Sequence, residues 1–221
     1  MILFELLGTE NAQVYQDLEI SNGARQFDFL RSIVETALAV ERPFFSQHIL
    51  KALNFQAITC LHTNAGEYRP CPVHVGDYKP PEHYRVQALM DDFVNFVNRR
   101  WETADPVVLA TYVLWRLNHI HPFINGNGRT ARAAAYYIIC VSAGSWLPGE
   151  TTLPALLSAN RQAYVLALRE VDATAIAGNL DLAPLLNLVS TLLEQQLAPY
   201  RNAQEGEPAP ERDSLDVAEA E

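Results

Sequence analysis

The sequence predicts a mainly α-helical domain, and three observations carry that prediction. Apolar residues recur at helical spacing in most of the chain. Prolines and glycines punctuate the gaps between those stretches. Only one stretch, 66–78, holds strand-forming residues without a helical stripe. With 221 residues, 49% of them hydrophobic, the chain is long enough for one domain with a real core.

Residues 1–24 form a leader with an ambiguous pattern. Over 25–40, Phe27, Phe29, Leu30, Ile33, Val34, Ala37 and Leu38 make a helical stripe, and Pro43 is the expected stop. Ser46 suits the N-cap of a helix over 47–61. Next, Tyr68, Val73 and Val75 favour a strand, and Gly76-Asp77 favours a turn. Pro70 and Pro72 lie two apart, so both missing N–H groups fall on one edge. A strand here belongs at a sheet edge; the alternative is a loop with blunted pairing.

Pro80-Pro81 leads into a helix over 82–100, whose stripe of Val86, Leu89, Met90, Phe93, Val94 and Val97 reads as core. Asp105 is a good N-cap with Pro106 at the first helical position, opening a helix over 105–119. That helix is apolar all round and should be central. His119, near its end, reads as structural. A second apolar helix covers 129–143, its alanines suited to close packing and Gly144 to a stop. Pro154 opens one helix to about residue 170, with Tyr164 packed on it. Asp181 caps a last helix to about residue 197, with Pro184 tolerated in its first turn. Residues 198–221 read as an acidic, disordered tail.

The formal net charge is −10, and half of it sits in 201–221, where seven acids and two arginines give −5. The remaining body is only mildly acidic, which disfavours a nucleic-acid partner. Cys60, Cys71 and Cys140 are odd in number and not at metal spacing, which fits a reducing compartment. Residues 1–9 have no basic segment, and their apolar run is too short for a signal peptide. The apolar run after Arg132 is too short to span a bilayer. The expectation is a soluble cytoplasmic protein with no membrane partner.

Residues 121–132, between the two apolar helices, concentrate the chemistry. His121 precedes a proline, which disfavours helical angles and predicts an extended turn outside the first helix. Gly126 and Gly128 let the backbone approach a ligand closely. Free N–H groups at the start of the second helix point into that loop, which makes an anion site. Arg129 and Arg132, three apart, share roughly one face and could both fork onto phosphate oxygens. Gly-Asn-Gly alone is most often a turn, and each arginine alone a surface residue. The case rests on their combination within twelve residues. The spacing matches neither a Walker loop nor a zinc His-Glu-x-x-His helix.

The stretch resembles the signature of the Fic family, His-x-Phe-x-Asp/Glu-Gly-Asn-Gly-Arg-x-x-Arg, at His121, Phe123, Gly126, Asn127, Gly128, Arg129 and Arg132. It departs at Asn125, where the family usually has a carboxylate. The resemblance covers about 25–197 and implies a Fic-type helical bundle with a β-hairpin flap, with 66–69 (Gly-Glu-Tyr-Arg) as the approach to the flap. It implies transfer of AMP from ATP to a Tyr, Ser or Thr hydroxyl of a target protein. In that role His121 takes the proton. Asn127, with the amides of Asn127 and Gly128, forms the anion hole; Gly126 shapes it. Arg129 and Arg132 hold the outer phosphates, and Phe123 anchors the loop. A Mg²⁺ ion bridging the phosphates would meet Asn125, a weaker ligand than a carboxylate. The target docks by strand addition near Val73, His74 and Val75.

Alternatives stay open at this point. One is a catalytically weak nucleotide-binding or protein-interaction module; another is transfer of a different phosphate-containing group. A kinase like the death-on-curing branch is disfavoured by the intact glycines. The family's inhibitory pattern, Ser/Thr-x-x-x-Glu-Gly/Asn, has its nearest match at Ser190 to Gln195. Glu194 is therefore the candidate inhibitory residue, with a solvated surface acid as the plain alternative. Otherwise inhibition would come from a separate partner protein.

Overall fold

The computed structural model describes residues 2–41 and 44–205. Nine α-helices appear among them: α1 (Leu3–Leu7), α2 (Gln13–Ala39), α3 (Gln47–Ile58), α4 (Val86–Arg100), α5 (Pro106–Ile120), α6 (Asn127–Ser142), α7 (Leu153–Ala159), α8 (Arg161–Ile176) and α9 (Ala183–Glu205). A single 3-10 turn, His83–Arg85, leads into α4.

The bundle is built around α6. Its small residues Ala131, Ala133, Ala134 and Ala135 let α5 approach closely, and α2, α3 and α7 cover its other faces. Tyr136, Tyr137, Ile138 and Cys140 on the same helix are fully buried. The expected central helix, α5, packs in turn against α4, α6, α8 and α9. Asp105 caps it as expected, accepting from the amides of Val107 (2.8 Å) and Val108 (3.0 Å). Ser46 caps α3 through the Ile49 amide, and Asp181 accepts from the Ala183 amide at the start of α9.

Several boundaries differ from expectation. The division between leader and domain at 24/25 falls inside the continuous helix α2. The leader is therefore part of the bundle, and main-chain bonds from Leu3 to Cys60 and from Phe4 to Leu61 seat α1 on the turn after α3. That turn ends α3 three residues early, because Cys60 adopts φ 63°. The single helix expected from Pro154 is two, broken at Asn160 with φ −95° and ψ 39°. Its side chain bonds the Leu156 carbonyl and its own carbonyl accepts the Tyr164 amide, so the break is internally satisfied. Helix α9 continues through Pro199 to Glu205, beyond the expected end near 197. The expectations for Pro43 and for the tail from 206 to 221 lie outside the described residues.

The expected hairpin at 66–78 contains no strand. Its pairing consists of two isolated antiparallel bridges, Tyr68 with Phe123 and Val75 with Tyr78. Pro70, Pro72, Pro80 and Pro81 remove the N–H groups that a longer ladder would need. Among the described residues, no helix is long and apolar enough to cross a membrane.

One buried amide ties the last helix to the rest. Gln196 accepts from the Leu153 amide (2.7 Å) and donates to the Tyr136 hydroxyl (2.8 Å) and the Pro148 carbonyl (2.9 Å). Gln196→Leu removes the partner of two buried polar groups and of one half-buried carbonyl. The expected loss is about 1–3 kcal/mol of stability, read as a lower urea midpoint with an unchanged slope.

Candidate functional site

The loop 121–126 joins α5 to α6. His121 ends α5 in the left-handed region, with φ 52° and ψ 59°, not the extended conformation expected before a proline. A non-glycine residue held there is strained and needs outside support. Arg69, only 3% exposed, supplies it. Its Nε donates to the His121 carbonyl and its amide to the Pro122 carbonyl, both at 2.8 Å. The rest of its guanidinium donates to the carbonyls of Cys71 and Pro81. One side chain thus fastens the segment after α3 to the turn that carries His121.

The His121 ring is partly buried, and its Nδ1 lies 3.3 Å from the Asn118 carbonyl. Donation from Nδ1 leaves Nε2 as the acceptor nitrogen. Burial pulls the imidazole pKa down from 6.5 to about 4; the Asn118 contact opposes the shift and the Arg69 charge adds to it.

Phe123 is fully buried, as expected of an anchor, and its ring meets Tyr68. Asn127 brackets it: Oδ1 accepts from the Phe123 amide and Nδ2 donates to the Phe123 carbonyl, both at 2.9 Å. The Asn127 side chain, expected in the anion hole, therefore braces the loop; only its main-chain N–H remains for an anion. Gly126, at φ 75°, precedes α6. A Cβ there would meet Ile58 at 2.6 Å and Asn54 at 3.0 Å, so glycine is required twice over. Asn54 is fully buried, donates to the Asn125 carbonyl (2.9 Å) and accepts the Gly66 amide (3.0 Å).

The first-turn amides of Asn127, Gly128 and Arg129 have no intrahelical acceptor, and among the described residues no side chain caps α6. Arg132 reaches back over this turn: a Cβ on Gly128 would lie 3.3 Å from its Nη1. Among the described residues Arg132 has no ion-pair partner, and burial lowers its pKa. A cavity of about 240 Å³ opens beside it, lined by Gln26 and Phe27 of α2 and Thr152 and Pro154 near α7.

Arg129, expected beside Arg132 on the phosphates, is turned to other partners. It bonds the Ala57 carbonyl and Asn125 Oδ1 (both 3.1 Å) and pairs with Glu19 of α2 at 3.1 Å. Three residues of separation put the two arginines on one side of α6, but Glu19 draws the first away.

Asn125 differs most from expectation. Its Oδ1 accepts from the Gly126 amide (2.5 Å) and from Arg129; its Nδ2 donates toward Glu10 Oε1 (3.0 Å) and His62 Nε2 (2.9 Å). The Tyr15 hydroxyl also meets His62 Nε2 at 2.7 Å. Burial lowers the His62 pKa, with Glu10 opposing the shift. With both hydrogens and the oxygen engaged, the amide does not fit the expected role of Mg²⁺ ligand. Among the described residues no group of three or more His, Cys, Asp or Glu is placed to hold a metal.

Val73 is half-buried, while His74 and Val75 are exposed beside the single Val75–Tyr78 bridge. The segment is tethered at its far end, where the Tyr78 hydroxyl donates to the His119 carbonyl at 2.7 Å. His119 itself is more connected than expected, with Nδ1 2.8 Å from Asp172. Glu194 is exposed on α9, which packs on α5, α7 and α8, and it pairs with no arginine among the described residues. The inhibitory role considered for it therefore has no contact to support it. Glu10, Glu19, Asn54, His62 and Asn118 went unread in the sequence because most lie tens of residues from the loop they touch.

Asn125→Asp would set a carboxylate against Glu10 where an N–H now stands. The expected outcome is loosening of the leader, seen as faster amide exchange at Leu3 and Phe4. Adding Glu10→Gln should restore the slow exchange, since the new amide can donate to the aspartate.

Residues 44–139 match the family model described as the Fic/DOC family. The chain is 29% identical, over 147 residues, to a protein of Drosophila persimilis named protein adenylyltransferase Fic. That match covers 54% of this chain and 29% of the relative. The Drosophila yakuba protein of the same name is 30% identical over the same length, with 30% of it covered. The chain thus spans about a third of these relatives' length. Among solved structures, Fic-1 (residues 134–508) of C. elegans superposes with a TM-score of 0.69 at 23% identity, covering 91% of this chain and 57% of that one. A Fic domain containing signaling protein of Bacteroides thetaiotaomicron gives a TM-score of 0.69 at 21% identity, covering 94% and 80%. The helical bundle agrees with these structural matches, and residues 44–139 are a segment of the Fic/DOC type.

Proposed function

We propose that this protein transfers AMP from ATP to a hydroxyl side chain of a target protein. The observation that carries the reading is the Arg132 guanidinium, without a carboxylate partner among the described residues, lying over the uncapped N-terminus of α6. A helix N-terminus and a guanidinium converging on one point make a phosphate site. The relatives named protein adenylyltransferase support the nucleotide reading.

In this mechanism the amides of Asn127 and Gly128 receive the α-phosphate oxygens, and Arg132 receives the outer phosphates. The target hydroxyl attacks the α-phosphorus, and its proton passes to His121 Nε2. The bond from the α-phosphorus to the bridging oxygen breaks, and pyrophosphate leaves with that electron pair. Preorganised donors that need no rearrangement as charge shifts supply most of the acceleration. The Glu19–Arg129 pair favours a second reading, in which nucleotide binds with little turnover.

His121→Ala should reduce transfer by at least about a hundredfold and leave ATP affinity nearly unchanged, as read by labelled-nucleotide transfer and calorimetry. Transfer surviving the substitution would remove His121 as the base. A base works above its pKa, and burial lowers that of His121 to about 4. The acid limb of kcat/KM should accordingly fall well below pH 6.5. Bound phosphates raise an imidazole pKa by charge attraction, so the limb of kcat should lie higher. Coincident limbs at 6.5 would contradict this. Arg132→Ala should weaken ATP more than AMP, by about 1.5–3 kcal/mol; equal losses in calorimetry would take Arg132 off the outer phosphates.

A further inference from the structure

A second polar cluster lies around the last turns of α5, beside the 66–78 segment. The last turns of α5 present Trp115, Arg116 and His119 to a cavity of about 450 Å³, closed by the end of α8 and the loop before α9. Asp172 organises its wall: one carboxylate oxygen accepts the Trp115 indole N–H at 2.9 Å and lies 2.8 Å from His119 Nδ1. The neighbouring arginine is left over. Among the described residues Arg116 has no ion-pair partner, and its Nε is buried without a hydrogen-bond partner. Its guanidinium instead lies over the Trp115 ring, 5.7 Å from the centroid. A buried donor without an acceptor is costly and uncommon, and it marks a place where an acceptor belongs.

The rim of the cavity says what carries that acceptor. Ile176 is 80% exposed and Leu180 45% exposed, so two aliphatic side chains flank one unpaired cation. The cavity also adjoins the flap, whose Tyr78 hydroxyl bonds the His119 carbonyl two residues before His121. Asp172 stands close to the wall, so a polyphosphate would meet a like charge. A single carboxylate carries less charge against Asp172 than a polyphosphate, and apolar residues beside it match Ile176 and Leu180.

We propose that this cavity is a docking site for an acidic side chain, flanked by apolar residues, on the protein segment that the flap presents to His121. It rests on the adenylyl-transfer reading only for the identity of that segment as the target. On binding, Arg116 turns from the Trp115 face so that Nε and a terminal guanidinium nitrogen bond the carboxylate as a fork, while Ile176 and Leu180 cover the flanking aliphatic groups. Recognition here selects the target's sequence near its modified hydroxyl and adds affinity that the short flap pairing lacks.

The test is an NMR titration of the full chain with acetyl-Leu-Glu-Leu-amide and acetyl-Leu-Gln-Leu-amide, following the Arg116 Nε–H and the Trp115 indole N–H. The glutamate peptide is expected to shift both signals and to bind at least about tenfold more tightly than the glutamine peptide, the factor expected of one charge-assisted hydrogen bond. Arg116→Gln should erase the preference. Equal binding of the two peptides would overturn the proposal without recourse to any variant, as would a preference retained in Arg116→Gln. Inorganic phosphate shifting the same signals more strongly than the glutamate peptide would also overturn it. The titration contains no nucleotide and reads no transfer. A failure of the adenylyl-transfer reading therefore shows only in the His121 experiment, and a failure of this docking site only here.

Discussion

The site depends on the pair of hydrogen bonds between the Asn127 side chain and the main chain of Phe123. Each bond contributes only about 1 kcal/mol on its own. Together they close a five-residue turn, 123–127, that drives the Phe123 ring into the core and starts α6 at a defined place. With that start fixed, the free amides of the first turn face one point. His121, on the other side of the turn, is then clamped by Arg69 in a conformation it would not keep alone. Asn54 closes the arrangement from below, where Gly126 leaves no room for a side chain.

Charge divides the loop into two sides. On one, Arg132 lies over a helix N-terminus without a counter-ion among the described residues, so an incoming anion gains two attractions there. On the other, Glu10 and Glu19 from the leader and α2 satisfy Asn125 and Arg129. The asparagine in place of a carboxylate makes physical sense there. A carboxylate at that position would face Glu10 at hydrogen-bond distance, whereas the amide can donate to Glu10 and accept from Arg129 at once. The departure from the family signature and the position of the leader are therefore one feature.

Much of this was legible in the sequence. The helical stripes gave α4, α5 and α6 closely, since their period and caps are local properties, and the glycines marked the loop correctly. What the sequence could not show were side-chain destinations. Arg129 looks like a phosphate ligand on spacing and Asn127 on the family resemblance, but each is consumed by a partner: α2 for the arginine, the turn at Phe123 for the asparagine. Asn160 looks like an ordinary helix residue until its side chain is seen bonding backward to Leu156. The flap was overestimated for a different reason: strand-forming residues were present, but four prolines deny the ladder its donors.

Neighbouring helices in the chain are also neighbours in space: α2 with α3, α5 with α6, and α8 with α9 make the most extensive contacts. Chains dominated by such short-range contacts fold quickly, because little loop entropy is lost before contacts form. The Asn127–Phe123 brace lies inside one of these hairpins, whereas the Arg69 and Asn54 contacts that complete the loop come from distant segments of the chain. The contact of Glu10 with Asn125 spans more than a hundred residues and must close late. Sequence separation thus divides the site: the brace that starts α6 is local, while the clamps on His121 and Asn125 wait on distant segments.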